Sequence, residues 1–213
     1  MVGVFITFEG PEGSGKTTQA QVLATSLKEK GYPVCSVREP GGTRLGDLIR
    51  EIVLDPKNTE MLPATEVLLF SAARAQIVGE VIRPKLERGE IVICDRYADS
   101  TLAYQGYGHK IDLPGLNAIT RFATGGLKPD LTFYLDLPVE IGLKRKMLQE
   151  WNRLDAKELN FHRRVQEGYG ELIRAEPGRW RVIDAKRSLA EIQAEIEDIT
   201  LSLLEERGLA TKR

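Results

Sequence analysis

Five short apolar runs divide the chain: Val4 to Phe8, Val34 to Val37, Ile91 to Cys94, Leu131 to Leu135, and Arg181 to Ile183. Their continuous character predicts strands covered on both faces, as in parallel sheets. Between them the apolar period becomes helical. Ala20, Leu23, Ala24 and Leu27 share one helix face and stop at Gly31, where a C-terminal cap is expected. Near the end, Ser188-Leu189-Ala190-Glu191 has capping-box form, and Ile192, Ile196, Ile199 and Leu203 extend an apolar stripe behind it. Strands alternating with helices predict an α/β fold. Its mostly parallel sheet is flanked by helices on both faces, and its ligand site lies along the carboxyl ends of the strands. Four of those ends carry charge: Glu9, Glu39, Asp95 with Arg96, and Asp136.

Composition narrows the partners. A chain of 213 residues suits a single domain with insertions, and no linker, repeat or low-complexity stretch divides it. With 30 basic against 31 acidic residues, no net field favours nucleic acid or a membrane as standing partner. Cys35 and Cys94 each sit inside an apolar run, which predicts buried core thiols and a reducing cytoplasm. No leader-like segment and no run of ~18 apolar residues is present, so a soluble intracellular protein is expected. Locally, Lys144, Arg145, Lys146, Arg153, Arg163 and Arg164 surround a polar middle, which predicts a mobile basic segment over 144–164. Residues after Gly208 are expected to fray.

The chemistry begins at Gly10-Pro11-Glu12-Gly13-Ser14-Gly15-Lys16-Thr17, a complete G-x-x-x-x-G-K-[ST] sequence between the first strand and the first helix. The glycines let backbone amides turn inward around phosphates, Lys16 reaches the outer phosphates, and the Thr17 hydroxyl is a ligand for Mg²⁺. The phosphates then rest on a helix N-terminus, whose unpaired amides favour an anion. A nucleoside triphosphate is the expected ligand.

A second cluster, Asp95-Arg96-Tyr97 continuing to Gln105, follows the third strand. An aspartate ending a strand beside such a loop suits Mg²⁺, as in the Walker-B arrangement. Where many motor ATPases place a glutamate to activate water, this chain has Arg96, whose planar fork grips phosphate. That substitution suggests an acceptor that itself carries phosphate, with a structural ion pair at the strand end as the lesser alternative. A third cluster, Arg38-Glu39-Pro40-Gly41-Gly42-Thr43, is a shaped turn after the second strand, with Arg50 on the helix beyond it.

Together with Phe70-Ser71-Ala72-Ala73-Arg74, Ala103-Tyr104-Gln105-Gly106, Lys128-Pro129-Asp130-Leu131 and Leu135-Asp136, these segments make the chain resemble the bacterial thymidylate kinases, a family of nucleoside monophosphate kinases. The resemblance runs through nearly the whole chain. It implies a P-loop kinase fold with a five-stranded parallel sheet and a small lid over 144–164. It also implies transfer of the ATP γ-phosphoryl group to dTMP with Mg²⁺, a homodimeric assembly, and a role in dTTP synthesis. The loop residues Gly10 to Thr17, with Thr18 and Arg145, then contact ATP, and Thr17 and Asp95 attend the metal.

On the acceptor side the resemblance assigns Phe70 to stacking on thymine, and Arg74 and Gln105 to hydrogen bonds with the base. Tyr104 crowds the sugar 2′ position. Arg50 and Arg96 hold the acceptor phosphate, Glu12 and Glu39 lie beside the acceptor, and Ser100 and Thr101 belong to the same pocket. By the residues alone, Phe70 and Tyr104 fit core packing and Arg50 a solvated charge. The loop of this chain contains no Arg, so the resemblance makes the lid supply the cation for the transferring phosphoryl group, with Arg153 of Asn152-Arg153-Leu154-Asp155 in that role. The catalytic set is thus Lys16, Arg96, Glu12 and Arg153. The lid departs from many relatives over Met147 to Trp151. Relatives also suggest a cis Glu39-Pro40 bond. No general base is required, and His109 and His162 are expected at the surface. The competing readings are a kinase for another nucleoside monophosphate, or a P-loop switch or motor ATPase.

Overall fold

The structure, a computed structural model, describes residues 3–147 and 152–209. Five strands form one parallel sheet: β1 (Val4–Glu9), β2 (Val34–Arg38), β3 (Ile91–Asp95), β4 (Leu131–Asp136) and β5 (Trp180–Asp184), in the order β2-β3-β1-β4-β5. The central strands β1, β3 and β4 are buried along nearly their whole length, which is why their sequences lack polar alternation. Each strand runs one residue or so beyond its apolar core, so the charges at the strand ends belong to the last turn of sheet.

Helices α1 (Lys16–Glu29) and α9 (Leu189–Glu206) cover one face, closing Leu23, Leu27, Ile192 and Ile196 over Ile6, Phe8 and Phe133. The Ser188 hydroxyl accepts from the Glu191 amide while the Glu191 carboxylate accepts from the Ser188 amide, so α9 starts with a complete capping box. Leu209 packs into this same core rather than fraying. On the other face lie α2 (Arg44–Leu54), α3 (Pro63–Ile77), α4 (Arg83–Glu87) and α6 (Leu113–Thr124), with Ile77 and Ile82 packed on Phe5 and Val92. A third cluster of Tyr104, Tyr134, Phe161, Tyr169 and Trp180 joins α8 (Leu159–Ala175) to the sheet.

Two helical stretches widen. After α3 the chain makes a π-helical turn over Val78–Ile82, and after α5 (Ala98–Thr101) it is π-helical over Leu102–Gly108. The wider turn re-aims side chains and commonly marks functional segments. Here it turns Tyr104 and Gln105 inward, both of them buried.

Several expectations are corrected. Cys35 lies on edge strand β2 and is only half-buried, whereas Cys94 on β3 is enclosed, and burial pushes its thiol pKa up. His162 is buried and His109 half-buried against Phe161, so neither is a surface residue. The basic segment 144–164 is not loop throughout. It comprises the end of α7 (Val139–Lys146), a turn through Asn152 to Asp155, and the start of α8. Of Met147 to Trp151, all but Met147 lie outside the described residues.

Helix α7 touches the phosphate loop backbone to backbone. A Cβ on Gly142 would stand 2.1 Å from the Glu12 carbonyl oxygen, and one on Gly13, at φ 67°, 2.1 Å from that of Gly142. Gly142→Ala is therefore expected to push the loop out of register and to weaken binding of the expected nucleoside triphosphate, titrated as MgATP, at least tenfold. Gly79→Ala, which meets nothing within 4 Å, should leave binding unchanged, as calorimetric titration would read.

In the turn before α8, Asp155 Oδ2 accepts from the Asn152 amide and Lys146 stands 3.8 Å away, while Oδ1 is buried without a partner among the described residues. Burial, with Glu12 nearby, pushes the Asp155 pKa up to about 6. A folded-state pKa above the unfolded one gives stability that is full below about pH 4 and lost as pH rises through about 6. Asp155→Asn does not titrate, so its stability relative to the parent should rise by about 2 kcal/mol between pH 4 and pH 7. Urea melts at the two pH values measure this, and a constant difference would mean an ordinary carboxyl.

Candidate active site

The strand-to-helix turn after β1 builds the phosphate site. Gly10, Gly13 and Gly15 adopt φ of 143°, 67° and 93°, conformations other residues rarely reach, and α1 starts at Lys16. Lys16 is buried, with Nζ donating to the Pro11 carbonyl at 2.7 Å and to Ser14 Oγ at 3.3 Å. Burial and the neighbouring Arg96 lower its pKa to about 8, against the pull of Glu12, Asp95 and Glu9. The Thr17 hydroxyl donates to Asp95 Oδ2 at 2.5 Å, so one hydroxyl and one carboxylate meet beside the loop. Two hard oxygen donors with open space around them fit Mg²⁺, which keeps water and phosphate oxygens for its remaining positions.

Arg96 occupies the junction. Its backbone is left-handed, with φ of 67°, and the Cys94 thiol donates to its carbonyl at 2.9 Å. The guanidinium donates to Glu12 Oε1 at 2.8 Å, the Tyr104 hydroxyl at 3.0 Å, the Gly10 carbonyl at 3.2 Å and Ser100 Oγ at 3.2 Å, and reaches Tyr169. Burial alone would raise the Glu12 pKa, but Arg96 and Lys16 hold it down at about 2. Beneath lies Glu9, fully buried, which accepts from the Tyr97 amide, Ser100 Oγ and the Tyr169 hydroxyl at 2.6 to 2.8 Å. Burial and Asp99 push its pKa up.

A cleft of about 720 Å³ runs from the loop past Arg96 toward α3 and α5. Its loop end is lined by Glu12, Gly13, Gly15, Lys16, Thr17 and Thr18, and its far end by Phe70, Arg74, Thr101, Tyr104 and Gln105. Gly10, Pro11 and Ser14 lie behind that lining and hold Arg96 and Lys16 through hydrogen bonds. Arg74 is almost wholly buried. It donates through Nε to Glu39 at 2.7 Å, through Nη1 to Thr101 Oγ1 at 2.8 Å and through Nη2 to the Tyr97 carbonyl at 3.0 Å. Glu39 Oε1 has no partner among the described residues, and burial pushes the Glu39 pKa up to about 7 despite Arg74. The Glu39-Pro40 bond is cis, and Arg50 donates to the Pro40 carbonyl at 2.9 Å while its side chain lines the cleft.

The lid differs from expectation at Arg153. Instead of facing the phosphate loop, Arg153 is buried away from the cleft lining. Its amide donates to the Leu54 carbonyl at 3.3 Å, its Nε to the Val53 carbonyl at 3.1 Å, and Nη2 to Glu66. The physical reason is the match between a planar fork and a buried carboxylate beside the open carbonyls ending α2. The lid cations that do line the cleft are Arg145 and Lys146, and Arg145 lies within 3.5 Å of the Ala185 carbonyl. Sequence reasoning left Glu9, Glu66, Lys146 and Tyr169 outside the site. Glu9 was signalled by its charge at a strand end and Lys146 by the basic run of 144–164, whereas Glu66 and Tyr169 carried no signal.

The chain as a whole is similar to known proteins. The family model described as "Thymidylate kinase" matches residues 8–196. A protein of Roseiflexus castenholzii named "Thymidylate kinase" is 59% identical over 212 residues, covering 93% of each chain. One of that name from an Exiguobacterium species is 47% identical over 210 residues, covering 98% of this chain and 99% of its own. Among solved structures, the thymidylate kinase of Ehrlichia chaffeensis superposes with a TM-score of 0.76 at 32% identity, covering 94% of this chain and 99% of that one. The five-stranded parallel sheet is accordingly that of the P-loop nucleoside monophosphate kinases. With the phosphate loop, the Arg96 junction and the match over most of its length, the chain belongs to the thymidylate kinase family.

Proposed function

We propose that the chain transfers the γ-phosphoryl group of ATP to dTMP, giving dTDP on the way to dTTP in the cytoplasm. The observation that carries this reading is the single cleft in which a phosphate loop and a base-sized pocket face each other across Arg96. ATP lies on the loop with its phosphates against the amides of Gly13 to Thr18 and Lys16. Arg145, beside Ala185, flanks the adenine end. dTMP lies toward α3, with its phosphate between Arg96 and Arg50 and its ring against Phe70. Arg74 keeps N–H groups beyond the three it uses within the protein, and these serve a base carbonyl. Tyr104, whose hydroxyl donates to Glu12 at 2.8 Å, closes the pocket on the sugar side with Glu39.

In-line attack by an acceptor phosphate oxygen needs positioned cations rather than a base, because that oxygen is already anionic. Lys16 travels with the donor phosphates, Arg96 fixes the acceptor, and Arg145 and Lys146 supply lid charge on the donor side. Bound by Thr17 and Asp95, Mg²⁺ would neutralise charge on the donor phosphates. Arg153 acts indirectly by fastening the lid turn to α2 and α3, which excludes water from the cleft. Neither histidine takes part: His162 is buried, its pKa lowered by burial, and His109 faces Glu66. The chain works as a homodimer, since Leu45, Leu48 and Ile52 recur along one face of α2 at 44 to 49% exposure, with Leu68 of α3 also open.

The test is ADP release with MgATP and a panel of acceptors: dTMP, dUMP, dCMP, dGMP, UMP and thymidine. Strong stimulation by dTMP with dTDP as product is expected. Hydrolysis indifferent to acceptor would replace this reading with a switch or motor, and preference for another nucleotide would reassign the base pocket. For the assembly, the pair Leu48→Glu and Ile52→Glu should convert a sedimenting dimer into a monomer, while a monomeric parent would remove the dimer.

A further inference from the structure

Glu66 lies in the first turn of α3, is 1% exposed, and has no place in the transfer chemistry. It nevertheless gathers three groups from two segments, the π-helical stretch with its cap residue and the lid turn. Gln105 Nε2, from the π-helical stretch, donates to Oε1 at 2.6 Å. Arg153 Nη2, from the lid turn, donates to Oε2. His109 Nε2 stands 3.4 Å from Oε1. Burial alone would raise the Glu66 pKa, yet these donors hold it down at about 2, so it stays a carboxylate across the physiological range.

An ionised carboxylate only accepts, which fixes the Gln105 amide. The N–H₂ group must face Glu66, and the carbonyl oxygen, with no donor among the described residues, is the end left for the cleft. Across the same pocket Arg74 can only donate. A base placed between them therefore meets one donor and one acceptor in fixed positions. A 4-keto pyrimidine with an N3–H matches both. Cytosine, with a 4-amino group and an unprotonated N3, opposes donor to donor and acceptor to acceptor. Buried polar groups left unpaired in this way support discrimination of 10⁴ or more where a site is built for a hydrogen bond, far beyond what pocket shape gives.

We infer that Glu66 is the positioning residue for acceptor-base selection, holding Gln105 with its carbonyl toward the base and fastening the lid turn through Arg153 with the same carboxylate. This rests on the proposed placement of dTMP against Phe70, Arg74 and Gln105. The two tasks share one anion, so the residue that selects the base also sets where the lid begins.

The experiment compares kcat/KM for dTMP and dCMP in the parent chain and in Glu66→Gln, with circular dichroism and a thermal melt to establish folding. A glutamine amide both donates and accepts, so Gln105 is released to present either end. The dTMP-to-dCMP ratio is expected to fall at least tenfold, mainly through a higher KM for dTMP. A ratio within threefold of the parent, with both substrates losing activity equally, would make Glu66 merely structural and overturn the inference. A parent that does not prefer dTMP at all would instead overturn the acceptor placement, and the inference with it. Should Glu66→Gln fail to fold, ¹⁵N spectra of the parent decide the matter. One Gln105 side-chain amide proton, assigned by its absence in Gln105→Leu, should lie downfield and hold its position when dTMP is added. A large shift on dTMP binding would show the N–H₂ group turning to the base, and Glu66 would lose the role.

Discussion

The Arg96 guanidinium, enclosed between Glu12 of the phosphate loop and the aromatic hydroxyls of Tyr104 and Tyr169, is the interaction on which the site depends. It bonds to residues up to 86 positions away in sequence and so ties the loop, the acceptor helix and α8 to the ends of β1 and β3. Arg96 and Glu12 are 17% and 16% exposed, so losing either partner leaves the other charge partly stranded away from water. The strain it tolerates is visible in its own backbone, which sits at φ 67° where arginine is uncommon. A chain does not hold that conformation at a strand end without surrounding bonds that over-determine it. The Glu9 carboxylate supplies them from below, through Tyr97 and Ser100.

The charges around this junction are imperfectly balanced, and that imbalance is chemically useful. Glu9 and Glu39 are raised by burial, and Lys16 is lowered by burial and by Arg96. Within the protein, Lys16 donates to the Pro11 carbonyl and Ser14. In the proposed reaction, phosphate oxygens entering the cleft would satisfy cations that the protein brings close together. The electrostatic work of gathering them is done in folding, before the reaction begins, which is how a preorganised site avoids reorganisation during transfer.

Much of this was legible in the chain because the signals are local. Apolar runs located all five strands to within about a residue, since central parallel strands have no exposed face to interrupt them. The phosphate loop declared itself through glycines whose positive φ the turn requires. What stayed hidden depends on distance or on a departure from regular geometry. No local pattern joins Arg153 to Glu66, 87 residues apart, so a lid arginine that looked suited to a phosphate proves to have a buried carboxylate to bind. His162 looked like a polar surface residue because the burial comes from other elements. The π-helical stretch over Leu102–Gly108 has no sequence signature of its own, yet it decides where Tyr104 and Gln105 point.

That stretch explains how two networks stay coordinated. Tyr104 donates to Glu12 and accepts from Arg96, while its chain neighbour Gln105 donates to Glu66, which also holds the lid arginine. Adjacent residues on a helical segment project in different directions, so one backbone segment addresses two sides of the cleft at once. A shift of that segment would move the Arg96 junction and the Gln105 amide together. The tight fit of Gly108 against Phe161 and Val165, where a Cβ would come within 2.7 to 3.0 Å, restrains the segment from the α8 side. Under the proposed placement of dTMP, acceptor recognition and phosphate alignment would share this one element, and the rigidity of the packing behind it would set how closely the two phosphates are held in line.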